Sequence, residues 1–205
     1  MLNLPNQLTV LRIVLSFVFM GVLFSPFAFA YTAALVVFII AGLTDLLDGR
    51  IARGKNLYSD FGTLMDPLAD KILISTAFIS FVELRETRVA AWMVVLIIAR
   101  EFLITGLRLL ALNKGVLVKA GDWGKHKTFS QIFAICLILS FHAAKEFLVR
   151  TPQRWAGCQG GFHALYNTVV FWTMLIVVGL TLLSGFFYVL ENRQVFEGAE
   201  GRVKA

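Results

Sequence analysis

Four aspartates lie close together in a stretch of chain that is otherwise strongly apolar. They are Asp45, Asp48, Asp66 and Asp70. Carboxylates are costly in or near a bilayer, so four of them in apolar sequence indicate a functional site. Oxygen ligands with no Cys or His nearby favour hard divalent cations, Mg²⁺ or Mn²⁺, over zinc. The aspartates therefore predict a divalent-metal site.

Helical spacing would place these carboxylates on two stripes, one on each of two helices. Such stripes could coordinate one or two ions, and two ions would neutralise a diphosphate and stabilise charge on a transferred phosphorus. Small residues in the stripes leave room for a bulky group, and Arg53 returns to the first stripe, where it can grip a phosphate or pair with a carboxylate. The stripes comprise Asp45, Asp48, Gly49 and Ala52, and Gly62, Asp66 and Asp70.

A purely structural interpretation of the aspartates is helix capping or ion pairing with Arg50, Arg53 and Lys71. Charges at a membrane interface are common, so this interpretation could account for any single aspartate. It does not account for four carboxylates with matched small residues, and the metal site is therefore the favoured interpretation.

The composition predicts an integral membrane protein with one domain, residues 1–205. The chain is 58% hydrophobic and 16% charged, with a mean hydropathy of +0.77. We expect six transmembrane helices and a short N-terminal interfacial segment, in which Pro5 sets an extended entry. The expected spans are about 8–24, 31–48, 62–82, 89–112, 129–148 and 169–190, joined by a polar connection at 53–61, a basic loop at 113–128 and a Gly-rich, aromatic connection at 151–167.

The distribution of Lys and Arg predicts that both termini and the aspartates face the cytoplasm of a bacterial inner membrane. Because these residues lie in short loops between apolar segments, the net charge of +6 indicates membrane anchoring and phosphate binding, and nucleic acid is not an expected partner. Eleven lie on the predicted cytoplasmic side: Arg12, Arg50, Arg53, Lys55, Lys114, Lys119, Lys125, Lys127, Arg193, Arg202 and Lys204. Five lie on the other: Arg85, Arg88, Lys145, Arg150 and Arg154.

No arrangement of Ser with His, or of Cys with His, suits a covalent intermediate, so direct displacement is the simpler reaction. The three histidines, His126, His142 and His163, are scattered along the chain and are interpreted as structural or solvated.

The aspartate pattern resembles the signature of the CDP-alcohol phosphotransferase family. The matching residues, with no position missing, are Asp45, Asp48, Gly49, Ala52, Arg53, Gly62, Asp66 and Asp70. The resemblance implies that an acceptor hydroxyl attacks the phosphorus next to the diacylglycerol of a CDP-linked lipid, and that CMP leaves. It implies that Asp45, Asp48 and Asp66 bind metal, that Asp70 binds metal and is the general base, and that the small residues and Arg53 contact the CDP-lipid. Homodimers are typical of the family.

Several further segments are similar to bacterial phosphatidylglycerophosphate synthases. They are NLPNQLTVLR near the start, DPLADK around the last two aspartates, ARE at 99–101, and GKHKT at 124–128. The similarity implies sn-glycerol 3-phosphate as acceptor, with CDP-diacylglycerol as donor. The phosphate of glycerol 3-phosphate requires a cationic pocket. The candidates for it are Arg100, Arg108, Lys125 and Lys127. Three of them have a structural interpretation too: Arg100 could pair with Glu101 or Asp70, and Lys125 and Lys127 could anchor the inner surface.

Two alternatives stay open at this point. A cardiolipin synthase of the same fold would use phosphatidylglycerol as acceptor and would have a similar signature. A divalent-cation transporter would also use intramembrane aspartates, but it would leave Gly49, Ala52 and Arg53 without a role, and the chain lacks the paired repeats that transporters often show.

Overall fold

The computed structural model shows a bundle of α-helices. It describes residues 4–55, 60–113, 123–150 and 152–192, with the backbone alone at 4–6, 8, 45–55, 60–67, 70, 112–113, 123–126 and 152–158. No strand occurs in the described ranges, so the all-α prediction is confirmed there. The helices are α1 (Leu4–Leu23), α2 (Ala30–Lys55), α3 (Asp60–Glu83), α4 (Ala91–Asn113), α5 (Trp123–Val149) and α6 (Pro152–Glu191), with a 3₁₀ turn at Arg85–Thr87.

Helix α1 packs along both α2 and α3, whereas the described parts of α2 and α3 contact each other little. Helix α5 packs against α2 and α6, and α4 packs against α6. The core contains large aromatic and aliphatic side chains such as Phe19, Phe78 and Ile138, none of which is exposed. Small residues in the same core, including Ala34 and Ala134, let the helix backbones approach closely, as in membrane bundles.

The outer faces of the helices carry large apolar side chains. Phe17, Val95 and Trp172 are each more than half exposed, on three different helices. Apolar surface on this scale is unfavourable in water and favourable against lipid. The segments Lys127–Val149 and Gln159–Glu191 are long and apolar enough to cross a bilayer. These features are those of a membrane protein, and the full count of six spans stays a prediction.

The expected extended entry at Pro5 is wrong, because α1 already begins at Leu4. Proline is well suited to the first helical turn, where its missing N–H has no intrahelical acceptor and its φ is already helical. The connection predicted at 53–61 is also too long, since α2 continues to Lys55 and α3 begins at Asp60.

Two other predicted connections are helical in the residues that the structure describes. Helix α5 begins at Trp123, so the GKHKT segment lies in its first turns, and α6 begins at Pro152 and includes almost all of the stretch to Asn167. Each interior glycine costs a helix only about 1 kcal/mol. Packing in this half of α6, where Tyr166 is 3% exposed and Phe162 meets the ring of Phe141, offsets that cost.

A carboxylate from α5 caps the start of α2. Glu146 accepts hydrogen bonds from the backbone N–H groups of Tyr31 (2.8 Å) and Thr32 (3.1 Å) and from the Thr32 hydroxyl (2.7 Å). The first N–H groups of a helix have no intrahelical acceptor, and a negative charge at that end also complements the helix dipole. Glu146 therefore ties α2 to α5.

We expect Glu146→Ala to lower the stability of the purified protein by about 1–3 kcal/mol, because two helix-start N–H groups lose their acceptor. Thermal unfolding in detergent measures the change. The matched control is Glu83→Ala, which removes an exposed glutamate from the end of α3. Equal melting temperatures for the two variants would contradict the capping role.

Candidate functional site

The alternating direction of the six helices brings the starts of α1, α3 and α5 to the same end of the bundle as the ends of α2, α4 and α6. Contacts across α3, α4 and α5 at Lys71, Glu101 and Lys127 fit this arrangement. We call this end of the bundle the aspartate end, because α2 brings Asp45 and Asp48 to it and α3 brings Asp66 and Asp70.

The predicted metal-binding stripes lie on helical backbone throughout. Asp45, Asp48, Gly49, Ala52 and Arg53 lie in the last part of α2, and Gly62, Asp66 and Asp70 lie in the first half of α3. Helical periodicity therefore gives each set the shared face that its spacing predicts. The side chains of these eight residues are outside the described part of the structure, as is that of Lys125 in the first turn of α5.

The centre of the described polar network is the carboxylate of Glu101, which is 8% exposed. Its Oε1 atom lies 2.5 Å from Lys127 Nζ and 3.4 Å from Arg100 Nη1, and its Oε2 atom lies 3.4 Å from Lys71 Nζ. Gln131 Nε2 also donates to Oε1 at 3.2 Å. We call these five side chains the Glu101 cluster. Ion pairs within the cluster connect α3, α4 and α5.

Arg100 extends the cluster to α6. Its Nη2 atom donates to the Ser184 hydroxyl at 2.6 Å, and its side chain crosses directly over Gly185. A Cβ atom at Gly185 would lie 3.1 Å from Arg100 Cγ and Nε, so the guanidinium could not keep this path over a larger residue. Among the described side chains, no hydrogen-bond acceptor faces Arg100 Nε.

Gln131 makes a second link to α6. Its Nε2 atom lies 3.4 Å from Thr181 Oγ1, one helical turn before Ser184, while it also donates to Glu101. Gln131 and Thr181 are fully buried, and a buried amide is tolerated only with hydrogen-bond partners. The Glu101 cluster therefore connects four helices.

A small cleft of about 80 Å³ lies beside the cluster. Lys71, Ser75, Glu101, Lys127 and Thr128 supply its polar lining. Lys71 directly follows Asp70 in α3, so the cleft begins one residue from the predicted general base. Three cations facing one carboxylate leave a positive excess, which suits an anionic group at this end of the bundle.

The four predicted acceptor cations do not share one environment. Arg100 and Lys127 meet at Glu101, so each is paired with a carboxylate. Arg108 lies two turns further along α4 and is exposed, with its guanidinium carbon 5.9 Å from the centre of the Tyr188 ring. Within the described side chains, no carboxylate pairs with Arg108.

Sequence reasoning missed the central role of Glu101, which it considered only as a partner for Arg100. It also gave no role to Gln131, Ser184 or the buried Arg12, which α1 brings to the aspartate end and which is 2% exposed. One signal was available in the sequence: an acidic residue inside a predicted span needs partners there.

Comparison with known proteins connects this arrangement to a family. The sequence model described as CDP-alcohol phosphatidyltransferase matches residues 2–183. A Bacillus subtilis protein is 37% identical over 204 residues, covering 94% of this chain and 96% of its own, and a Rickettsia bellii protein is 32% identical, covering 95% and 97%. Both are named CDP-diacylglycerol–glycerol-3-phosphate 3-phosphatidyltransferase. A Mycobacterium tuberculosis protein named probable phosphatidylglycerophosphate synthase is 40% identical over 140 residues, which cover 67% of this chain and 66% of that protein.

The ion pairs at Glu101 are expected to contribute to the stability of the protein. We expect Glu101→Gln to destabilise the protein by about 3–5 kcal/mol, because removing one partner leaves buried cations uncompensated. The destabilisation of the double variant Glu101→Gln/Lys127→Gln should be smaller than the sum for the two single variants. When both side chains are neutral, neither leaves the other as a buried charge without its partner. Thermal unfolding of the wild type, the two single variants and the double variant gives the coupling energy between Glu101 and Lys127. Strict additivity would show that the 2.5 Å contact contributes nothing.

Proposed function

The chain belongs to the CDP-alcohol phosphatidyltransferase family, and from this premise we propose that it transfers a phosphatidyl group from CDP-diacylglycerol to sn-glycerol 3-phosphate. The products are phosphatidylglycerol phosphate and CMP. The observation that carries the proposal is similarity along almost the whole chain to relatives named for this reaction. The uninterrupted aspartate pattern on α2 and α3 supports it.

The family uses divalent metal ions, and the aspartates of this chain form a suitable donor set. Four carboxylates on two helical faces offer only oxygen ligands, the type that Mg²⁺ and Mn²⁺ prefer. Asp45, Asp48, Asp66 and Asp70 would hold the metal, with two ions as the proposed number. Bound there, the ions would neutralise the diphosphate and stabilise charge on the transferred phosphorus. The residues with described side chains contain no competing group of three or more His, Cys, Asp or Glu.

The proposed reaction is a single displacement at phosphorus. Asp70 accepts the proton of an acceptor hydroxyl, the hydroxyl oxygen forms a bond to the phosphorus next to diacylglycerol, and the bond from that phosphorus to CMP breaks. CMP leaves with the electron pair. Gly49, Ala52 and Gly62 leave space for the nucleotide at the helix backbone, and Arg53 contacts a phosphate of the CDP-lipid. No covalent enzyme intermediate is required.

The acceptor phosphate is proposed to bind through Arg108, with Arg100, Lys125 and Lys127 providing positive charge nearby. Arg108 is the strongest candidate because its guanidinium is exposed and faces no carboxylate in the described structure. Arg100 and Lys127 act less directly, since Glu101 already holds them in place. An arginine is also suited to bind a phosphate through two parallel hydrogen bonds.

We further propose six membrane spans, cytoplasmic termini and a homodimer, with the aspartate end open to the cytoplasm. The excess of Lys and Arg at that end supports this orientation. Both substrates could then reach the site, the lipid from the membrane and glycerol 3-phosphate from water.

The alternative acceptor, phosphatidylglycerol, is less well supported, since the relatives described above are named for glycerol 3-phosphate. A cation transporter has no support, because the family consists of transferases.

The activity is tested with the purified full chain in detergent. We expect CMP release from CDP-diacylglycerol when sn-glycerol 3-phosphate and Mg²⁺ or Mn²⁺ are present, and none after EDTA is added. Asp70→Asn should abolish CMP release but retain CDP-lipid binding. Release with phosphatidylglycerol alone would replace the proposed acceptor and leave the family assignment intact.

We expect Arg108→Gln to raise the KM for glycerol 3-phosphate by about tenfold or more, because a charge-assisted hydrogen bond to phosphate is lost. The KM for CDP-diacylglycerol should change little. Steady-state CMP release at varied acceptor concentrations provides both values, and Arg150→Gln, at the other end of the bundle, is the matched control. An unchanged acceptor KM would remove Arg108 from the acceptor site.

A further inference from the structure

A second and larger cavity lies at the end of the bundle opposite to the aspartates. Its volume is about 330 Å³, within the range of small-molecule sites. Residues between α3 and α4, the end of α5 and the first half of α6 form it, and we call it the far cavity. Its polar lining includes Arg85, Glu86, Arg88, His142, Lys145 and Tyr166.

The far cavity carries excess positive charge. Lys145 pairs with Glu86 at 2.7 Å, and the hydrogen bond from Lys145 lowers the pKa of that carboxyl, so Glu86 is ionised at neutral pH and already has a partner. Arg85 and Arg88 line the same cavity, and neither has an acidic partner among the described side chains. Two guanidinium groups at one cavity favour an anion with several oxygen atoms.

Arg88 is held in place by its backbone. It has a φ of 53°, in the left-handed region that a residue with a Cβ atom rarely adopts. Its neighbour Thr87 is fully buried and is fixed on both sides: its hydroxyl shares one proton between Leu84 O, at 2.8 Å, and Phe81 O, and its carbonyl accepts from the Tyr166 hydroxyl at 2.9 Å. The fold therefore fixes the backbone from which Arg88 reaches the cavity.

His142 forms part of the buried wall of the cavity. The single proton of the Tyr166 hydroxyl is donated to Thr87 O, so the Tyr166 oxygen accepts from His142 Nε2–H at 3.0 Å. In the neutral imidazole, Nδ1 is then an acceptor. His142 is 4% exposed and lines the cavity, and no donor for Nδ1 exists in the described residues. Nδ1 itself has almost no accessible surface, so His142 shapes the wall of the cavity and offers no ligand contact at this atom.

We propose that the far cavity binds an organic phosphate, with the phosphate group at Arg85 and Arg88. This phosphate group could belong to a lipid headgroup of the phosphatidylglycerol type or to a free glycerophosphodiester. The aromatic lining from Phe141 and Phe162, and the exposed Leu165 nearby on α6, would suit the lipid form. The proposal does not depend on the transfer reaction.

Binding is tested by thermal unfolding of the purified full chain in a neutral detergent. Four probes are titrated: dioctanoyl phosphatidylglycerol, glycerophosphoglycerol, dioctanoyl phosphatidylethanol and dioctanoyl phosphatidylcholine. We expect saturable stabilisation by phosphatidylglycerol and by phosphatidylethanol, which are both anionic, and none by phosphatidylcholine, whose headgroup has no net charge. Stabilisation by glycerophosphoglycerol as well would identify the headgroup as sufficient, whereas its absence would identify the lipid as the ligand.

The double variant Arg85→Gln/Arg88→Gln should bind the stabilising probe at least about tenfold more weakly. Arg150→Gln is the matched control, since Arg150 lies at the same end but over the ring of Phe29 and does not line the cavity. Circular dichroism and gel filtration verify that both variants are folded. Equal binding by the double variant and the control, or no saturable effect of phosphatidylglycerol and glycerophosphoglycerol, would overturn the proposal, whatever the outcome of the transfer assay.

Discussion

A single buried carboxylate, that of Glu101, holds the aspartate end of the bundle together. In a low-dielectric interior an unpaired charge is very costly, so Lys127 can be buried, and Lys71 and Arg100 partly buried, only because Glu101 lies between them. The carboxylate also brings these side chains to one point from three helices, and Ser184 and Thr181 attach a fourth. Packing alone would not specify this register, because the surrounding contacts are between interchangeable apolar residues.

The charge balance of the cluster links it to the aspartates. Three cations and one carboxylate leave a positive excess within the bundle, while α2 and α3 bring four aspartates to the same end. A group of like charges is destabilising when it is isolated from water. Opposite excesses at the same end of the bundle reduce that cost. The positive cluster is thus part of the electrostatics of the aspartate end as well as part of the fold.

Much of this arrangement was predictable from sequence because it depends on the helical spacing of residues and on the composition of the chain. The helical class, the helix order and the shared faces of the aspartates all follow from local patterns, and the family resemblance proved correct. Helix boundaries were less predictable. The stretch after Thr151 contains several glycines and reads as a connection, yet contacts of Phe162 and Tyr166 with α5 keep it helical. Those contacts join residues far apart in the chain, and a local pattern does not contain them.

The Glu101 cluster was hidden for the same reason. Lys71, Glu101 and Lys127 are separated by about thirty and twenty-six positions, and their meeting depends on how three helices are placed side by side. Sequence reasoning could recognise that each charge in an apolar span needs a partner, but it could not choose among the candidates. Lys71 was expected to meet an aspartate or extend to the interface, and in the structure it pairs with Glu101.

The unusual length of α6 has a geometric consequence. One continuous helix carries Tyr166, beside the far cavity, and Ser184, beside the Glu101 cluster. With a rise of 1.5 Å per residue, these two positions are about 27 Å apart along the axis, close to the thickness of a bilayer's hydrocarbon core. Helix α6 therefore fixes the distance between the two polar ends of the molecule: when one end lies at one surface of the membrane, the other end is held near the opposite surface.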